Sequence, residues 1–205
     1  MRIGIINYGM GNIRSVQNIL NYMGTTSEII TKPNQLVSKT HIILPGVGSY
    51  KKAMKNLKKL KLDLAIKEFV KKKNSKLLGI CLGMQLLGSS SEEEGHTKGL
   101  NFVKVNFELF KCNKSFKIPH VGFNTVMIKK DNYKFFKNLK DNSDFYFNHS
   151  FRAKHNEEFE TEILCDYGNL FLAAFRKKNI YGTQFHPEKS QSNGLILLRN
   201  FLLND

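Results

Sequence analysis

The sequence predicts an α/β fold: a mostly parallel sheet with helices on both faces. In the first half of the chain, short apolar strands alternate with segments whose apolar residues recur at helical spacing. Beyond Gly88 the pattern changes to short strand-like segments separated by turns. We therefore expect a strand-rich, partly antiparallel second half that extends the same sheet. The chain has 205 residues, 41% of them hydrophobic, and we expect residues 1–205 to form a single domain.

The first half of the chain predicts strands at residues 2–7, 27–30 and 41–44. The helix after the first strand ends at Gly24 and has one apolar face, formed by Val16, Ile19, Leu20 and Met23. Gly9-x-Gly11 resembles the start of a dinucleotide-binding fingerprint, but its third glycine would fall at Arg14, so we expect no nucleotide cofactor. After the third strand come the loop Pro45-Gly46-Val47-Gly48-Ser49, two lysine-rich helices and the strand that ends at Cys81.

The second half of the chain begins with a polar loop at residues 89–95. Strands are then predicted at residues 102–110, 121–128, 144–149, 162–165, 170–175 and 179–184. Helical spacing returns at the end, in Leu195, Ile196, Leu198, Phe201 and Leu202. Ligands of parallel sheets bind beyond the carboxyl ends of the strands. The 45–49 loop and Cys81 both follow such ends, and we expect them to face one crevice.

Charge and cysteine content restrict the function classes. The formal net charge of +15 suggests nucleic-acid binding, but the lysines between residues 51 and 76 interleave with apolar residues at helical spacing. That pattern indicates solvated helix faces, and we expect no nucleic-acid partner. The three cysteines are odd in number and far apart, which argues against disulfides and metal sites and favours the cytoplasm. No apolar stretch has the length of a membrane helix or a signal peptide, so we expect no membrane partner.

The sequence around Cys81 predicts a nucleophile. Gly79-Ile80-Cys81-Leu82-Gly83 follows an apolar strand and precedes a helix, which is the Gly-x-nucleophile-x-Gly pattern of a strand-to-helix elbow. Glycines fit there because a tight turn leaves no room for a Cβ atom beside the nucleophile. The start of a helix also favours a thiolate. The alternative is a small buried cysteine, and this pattern alone does not decide between the two.

A candidate base and its partner lie in Phe185-His186-Pro187-Glu188. Pro187 favours an extended backbone at His186, and in an extended chain residues two apart point to the same side. Glu188 can therefore orient the His186 imidazole and stabilise its charged form, which gives a set of nucleophile, base and orienting carboxylate. The alternative is an ordinary turn at the end of a strand.

Together these motifs resemble the class I (triad) glutamine amidotransferases. Within that family, several segments are similar to the glutaminase subunit of imidazole glycerol phosphate synthase. They are the segment from Tyr8 to Val16, Pro45-Gly46-Val47-Gly48, the segment from Ile118 to Asn124, and the segment from His186 to Leu202. The similarity extends from the first strand to the last helix and implies a flavodoxin-like glutamine amidotransferase fold.

The resemblance implies that glutamine is hydrolysed to glutamate and ammonia by Cys81, His186 and Glu188. By position, the oxyanion donors are Val47, Gly48 and Leu82, and the substrate-binding residues are Gly46, Gln85, Glu93, His149, Ser150 and Phe151. Glu93 would face the substrate α-ammonium, although a loop with three glutamates is also typical of a solvated turn. Gly46–Gly48 would act as a switch that completes the oxyanion hole only when the partner is loaded.

The resemblance also implies a partner: a (β/α)8 cyclase subunit that receives ammonia for histidine biosynthesis. Residues that match the interface and ammonia exit are Asn12, Phe123, Tyr146 and Lys189. Family members commonly carry other residues at Asn7, Phe123, Asn148 and Phe151, which leaves a second role open: ammonia supply for amidine formation on a bacterial surface sugar. A glutamyl hydrolase on a similar sheet and a non-catalytic basic binding protein are the alternatives from other classes.

Overall fold

The computed structural model describes residues 1–111, 116–131, 134–154 and 159–203. Within them the helices are α1 (Ile13–Tyr22), α2 (Tyr50–Lys59), α3 (Leu62–Val70), α4 (Leu82–Leu86) and α5 (Gln191–Leu203). The strands are β1 (Ile3–Ile6), β2 (Ser27–Ile30), β3 (His41–Gly46), β4 (Lys76–Cys81), β5 (Ser90–Ser91), β6 (Thr97–Lys98), β7 (Asn106–Leu109), β8 (His120–Asp131), β9 (Asp144–His149), β10 (Phe151–Lys154), β11 (Thr161–Asp166), β12 (Leu170–Lys177) and β13 (Ile180–Thr183).

The main sheet has the order β2-β1-β3-β4-β13-β12-β11-β8-β9. The strands from β2 to β13 in this order pair in parallel, and the pairs from β13 to β9 are antiparallel. The predicted α/β class and the partly antiparallel second half are therefore confirmed. Strands β3 and β4 are buried over almost their whole length, as expected of central parallel strands that are covered on both faces.

Helices cover both faces of this sheet, as predicted. Helices α2, α3 and α4 pack in one apolar cluster with inward residues of β3 and β4, and α1 and α5 pack in a second cluster on the opposite face. Successive side chains of β3 point to opposite faces of the sheet and so contribute to both clusters. Ile42 and Leu44 belong to the first cluster and Ile43 to the second. The lysines of α2 and α3 are solvent-exposed, which agrees with the solvated-face interpretation.

One part of the predicted sheet is wrong. Strands β5, β6, β7 and β10 do not extend the main sheet but form a separate four-stranded sheet in the order β10-β7-β5-β6. The predicted polar loop at 89–95 contains β5, and the predicted strand at 102–110 is shortened to β7. Strands of two polar residues carry no hydrophobic period, and backbone pairing such as Ser90 with Lys98 defines them instead.

Membrane helices and metal sites can be assessed only for the described residues. No helix among them is long and apolar enough to cross a membrane. They also contain no group of three or more His, Cys, Asp or Glu side chains placed to hold a metal ion. Cys112 and His155 lie outside the described residues.

Candidate active site

Cys81 stands at the tight turn between β4 and α4. Its backbone has φ 54° and ψ −112°, a conformation that a residue with a side chain rarely adopts. A Cβ atom at Gly83 would lie 1.7 Å from the Leu44 carbonyl oxygen, and one at Gly79 would lie 2.7 Å from the Gly83 backbone. Both flanking glycines are thus required by close backbone packing, while the cysteine itself carries the strained angle. This is the geometry of a nucleophile elbow.

His186 is held in the extended backbone that Pro187 favours, with φ −98° and ψ 95°. Its Nδ1 lies 2.8 Å from Glu188 Oε1, and both side chains are almost inaccessible to solvent. The backbone is fixed as well, because His186 N donates to the Tyr146 carbonyl at 2.8 Å and its own carbonyl accepts from Ser190 Oγ at 2.6 Å. The predicted pairing of His186 with Glu188 is present.

The sheet brings the nucleophile and the base together. Strands β4 and β13 are parallel neighbours in which Ile80 pairs with Thr183, so Cys81 and His186 both follow the carboxyl ends of adjacent strands. Burial lowers the pKa of His186. The charge of the Cys81 thiolate and its hydrogen bond, together with Glu188, outweigh that effect and raise this pKa to about 10. The imidazole is therefore protonated at neutral pH and faces the Cys81 sulfur.

The Cys81 sulfur opens onto a cavity of about 370 Å³ that lies between the two halves of the chain. Predicted site residues make up most of its lining: Val47, Gly48, Cys81, Leu82, Gln85, Glu93, His149, Ser150 and Phe151. The other lining residues are Ser49, Glu94, Pro119 and Asn148. Gly46 is buried and does not line the cavity, so its predicted contact with substrate stays a prediction.

The cavity offers backbone donors near the sulfur. Leu82 is the first residue of α4, and its N–H therefore has no acceptor within the helix. Val47 and Gly48 are exposed, and Gly48 has φ 90°, an angle that favours glycine. The loop that would complete an oxyanion hole is thus on the surface of the cavity and carries a residue with wide conformational freedom.

Gln184 is a site residue that the sequence reasoning missed. Its Nε2 lies 3.8 Å from Cys81 Sγ, and its Oε1 accepts from Gln85 Nε2 at 3.1 Å. The sulfur also lies 3.6 Å from the Asn148 carbonyl oxygen. The Asn148 carbonyl oxygen can therefore accept a hydrogen bond from the Cys81 thiol, and the Gln184 amide can donate one to the thiolate. The spacing could have identified it, because Gln184 stands two residues before His186, and residues two apart in an extended chain point to the same side.

A buried pair of histidines supports the cavity wall. His149 Nδ1 lies 2.8 Å from the Phe151 carbonyl oxygen, which can only accept, so Nδ1 carries the proton. His149 Nε2 must then accept from His120 Nδ1 at 3.1 Å, and His120 Nε2 faces the Asn124 amide nitrogen at 3.4 Å. Burial lowers the pKa of His120 to about 4 and that of His149 to about 3. Both rings are neutral at pH 7.

Glu93 also lines the cavity. It is half-buried, and burial is the main cause of the raised pKa of its carboxyl group. The backbone N–H of Tyr50 donates to Glu93 Oε2 at 3.0 Å and opposes that shift. The carboxylate is therefore anchored by its protein contact while it remains on the cavity lining, where a cationic group of a ligand can reach it.

Three of the four predicted interface residues form one surface beside His186. The Phe123 ring, 51% exposed, packs edge-on against Tyr146 at 5.6 Å, and Lys189 Nζ lies 5.4 Å from the centre of the Tyr146 ring. The Tyr146 ring is 6.3 Å from the His186 ring. Asn12 instead caps α1, accepting from Ser15 N at 3.3 Å. Its predicted role at the interface stays a prediction.

The remaining cysteine and histidine residues within the described ranges contribute little to the site. Cys165 is free and buried, and burial raises the pKa of its thiol to about 12, as expected of a packing residue. His41 packs edge-on against Phe201 at 5.6 Å, and His96 is exposed. Cys81, in contrast, stands at a strained turn, lies beside a protonated imidazole and lines the cavity.

Comparison with known proteins identifies the family. A sequence profile described as glutamine amidotransferase class-I matches residues 5–204. The imidazole glycerol phosphate synthase subunit HisH 2 of Methanococcus maripaludis is 47% identical over 202 residues, which cover 98% of each chain. The subunit of the same name from Vibrio vulnificus is 43% identical, over 98% of this chain and 94% of the relative.

A solved structure agrees at the level of the fold. A chain in the structure of PurLQS from Thermotoga maritima aligns with a TM-score of 0.75 and 18% identity, over 98% of this chain and 97% of that one. The full-length profile match, the two relatives and the elbow geometry point to one conclusion. The chain belongs to the class-I glutamine amidotransferase family.

Proposed function

We propose that this chain hydrolyses L-glutamine to glutamate and ammonia with Cys81 as nucleophile, His186 as acid and base, and Glu188 as the orienting carboxylate. The observation that carries the proposal is the convergence of these three residues at the ends of β4 and β13, beside a cavity of about 370 Å³. A charged imidazole next to the sulfur favours nucleophilic over packing chemistry at Cys81.

In the first half-reaction, the Cys81 thiolate attacks the side-chain amide carbon and forms a tetrahedral oxyanion. The N–H of Leu82 and the 47–48 loop would hold this oxyanion. The His186 imidazolium donates its Nε2 proton to the amide nitrogen, the C–N bond breaks, and ammonia leaves a glutamyl thioester. Glu188 keeps the other proton on Nδ1 at 2.8 Å and stabilises the imidazolium charge.

In the second half-reaction, neutral His186 takes a proton from water, and the resulting hydroxide attacks the thioester carbon. Collapse of the tetrahedral adduct breaks the C–S bond and releases the product as a γ-carboxylic acid, which gives up its proton to become glutamate. Cys81 returns to its thiolate paired with the imidazolium. One water and one glutamine thus give one glutamate and one ammonia. Glu93 on the cavity wall would bind the substrate α-ammonium, and Gln85 and the 149–151 backbone would orient the substrate.

The chain's biological role in this proposal is that of a glutaminase subunit of imidazole glycerol phosphate synthase, which passes ammonia to a (β/α)8 cyclase in histidine biosynthesis. Two relatives above 40% identity that carry this name over nearly their full length support it. The aromatic surface of Phe123 and Tyr146 beside His186 supports a partner that covers the ammonia exit. The exposed 47–48 loop supports activation by that partner.

Labelling of Cys81 tests the chemistry. The diazoketone analogue of glutamine, 6-diazo-5-oxo-L-norleucine, should modify the wild-type chain once, at Cys81, and an excess of glutamine should prevent it. Cys81→Ala should abolish labelling and glutamate release, whereas Cys165→Ala, a matched control, should retain both. Modification of Cys165 or of several sites, with no protection by glutamine, would contradict the proposal.

Purification with the partner tests the role. A tagged chain should capture a (β/α)8 cyclase subunit, and this partner together with its phosphoribosyl ligand should raise glutamate release well above that of the isolated chain. Equal rates with and without partner would contradict the switch at Gly46–Gly48. A captured partner that consumes glutamine with a sugar nucleotide instead would favour the surface-sugar role, which the half-exposed Phe123 at the interface leaves open.

A further inference from the structure

Tyr8 presents a buried hydroxyl group with no partner. It follows β1 and is 1% exposed, and its hydroxyl oxygen makes no hydrogen bond within the described residues. Its backbone is fixed, since its carbonyl accepts from Asn56 Nδ2 at 3.0 Å. An unpaired buried hydroxyl is unfavourable relative to phenylalanine at the same place, so its presence requires an explanation.

The Tyr8 hydroxyl lies between the oxyanion loop and the elbow. Gly46 has no side chain, and a Cβ atom there would be 2.5 Å from the Tyr8 hydroxyl oxygen and 2.9 Å from Leu82 Cβ. Burial and the nearby charge of Cys81 both raise the pKa of Tyr8 well above its usual value. The phenol therefore keeps its proton and can act as a hydrogen-bond donor at this position.

Peptide geometry shows what this donor can serve. In a trans peptide the N–H and C=O groups point in opposite directions. If the Val47 N–H faces an oxyanion in the cavity, the Gly46 carbonyl must point the other way, toward the buried side of the loop. A carbonyl that enters the interior requires a donor. The Tyr8 hydroxyl is an unpaired donor that already lies against Gly46.

We propose that Tyr8 is a positioning residue whose hydroxyl donates to the Gly46 carbonyl when the Val47 N–H faces the oxyanion. The contact stabilises the active orientation of the loop, and Tyr8 does not touch the substrate. Gly46 is required because any side chain would occupy the space through which the hydroxyl approaches. This inference rests on the proposed glutaminase function and extends it to a residue 73 positions before the nucleophile in the sequence.

Tyr8→Phe tests the inference by removing a single oxygen atom. Ser27→Ala is the matched control, because Ser27 in β2 has another buried hydroxyl oxygen without a partner among the described residues. Strand β2 is an edge strand of the main sheet, and Ser27 does not line the cavity. Both variants should melt at or above the wild-type temperature, because each loses an unpaired buried polar group.

Three quantities, measured on the chain with its partner, separate the possibilities: kcat, KM and the rate of Cys81 alkylation. We expect Tyr8→Phe to lower kcat for glutamine about tenfold or more, with KM within about twofold of wild type. Alkylation of Cys81 by iodoacetamide needs no oxyanion hole and should stay within about twofold of the wild-type rate. Ser27→Ala should leave all three quantities unchanged. A merely structural role for Tyr8 would slow alkylation and glutamine hydrolysis together.

The inference is overturned if Tyr8→Phe keeps the wild-type kcat, if its alkylation rate falls in parallel with kcat, or if Ser27→Ala loses as much activity. The proposed function itself fails if the wild-type chain with its partner releases no glutamate although Cys81 is alkylated. The wild-type measurement therefore distinguishes the two failures.

Discussion

Replacing Glu188 with glutamine keeps the size of the side chain and removes its charge. The carboxylate lies 2.8 Å from His186 Nδ1, and the two side chains are 1% and 3% exposed. At that separation the attraction between unit charges is about 6 kcal/mol for an effective dielectric constant of about 20. The cost of burying the carboxylate offsets roughly half of this attraction, which leaves about 3 kcal/mol for stabilising the imidazolium. We therefore expect kcat to fall about a hundredfold.

Steady-state glutamate release by the chain with its partner measures this effect. KM for glutamine should stay within about twofold, because Glu188 does not line the cavity. Glu68→Gln is the matched control: it removes an equally charged group from an ion pair with Lys71 that is 70% and 69% exposed, and it should leave kcat unchanged. A Glu188→Gln variant that is folded and within threefold of the wild-type kcat would refute the reasoning.

The same variant makes a prediction about pH. The pKa of His186 is raised to about 10, so its pairing stabilises the folded state fully below about pH 6.5, and that contribution is lost as the pH rises through about 10. Glu188→Gln removes one cause of the raised pKa. Its stability deficit in urea unfolding should thus be largest below pH 6.5 and vanish above pH 10. A deficit that does not change with pH would contradict this assignment.

Three further predictions concern the elbow, the histidine pair and the cavity. Gly83→Ala should force α4 away from β3, because its Cβ atom would lie 1.7 Å from the Leu44 carbonyl oxygen. We expect the free energy of unfolding to fall by about 3 kcal/mol in thermal unfolding, with loss of glutaminase activity. An unchanged melting temperature would contradict this expectation. His120 has a pKa lowered to about 4, so this group alone should contribute a loss of about 2 kcal/mol in urea unfolding between pH 7.5 and pH 5. His120→Gln should therefore lose about 2 kcal/mol less than wild type over that range. Glu93→Gln should raise KM about tenfold with little change in kcat, and an unchanged KM would exclude Glu93 from substrate binding.

The sequence sufficed for the features that depend on local patterns. The helical spacing before Gly24 predicted α1, and alternation and turn residues predicted most strands of the main sheet. The elbow around Cys81 and the i, i+2 relation of His186 and Glu188 are also local, and the contact at 2.8 Å follows from an extended backbone. Their assembly into one site depended on a resemblance, because pattern alone did not pair β4 with β13.

Features that depend on long-range packing could not be predicted from patterns. The separate sheet of β5, β6, β7 and β10 includes β5 and β6, strands of two polar residues that only backbone pairing defines. The contact of His120 with His149 joins two strands 29 residues apart, and the register of β8 and β9 determines it. The unpaired Tyr8 hydroxyl is invisible in the sequence, because a tyrosine after a buried strand is an ordinary core residue.

The position of β13 between β4 and β12 determines when the chain becomes reactive. Ribosomes make Cys81 more than a hundred residues before His186, so the nascent chain carries the thiol for most of its synthesis without the imidazole that activates it. Strand β4 remains an edge until β13 pairs with it, and that pairing brings His186 to the sulfur. A truncated or half-made chain therefore has Cys81 without the imidazole of His186 beside it. Completion of the sheet brings this imidazole to the sulfur and makes the thiol a nucleophile.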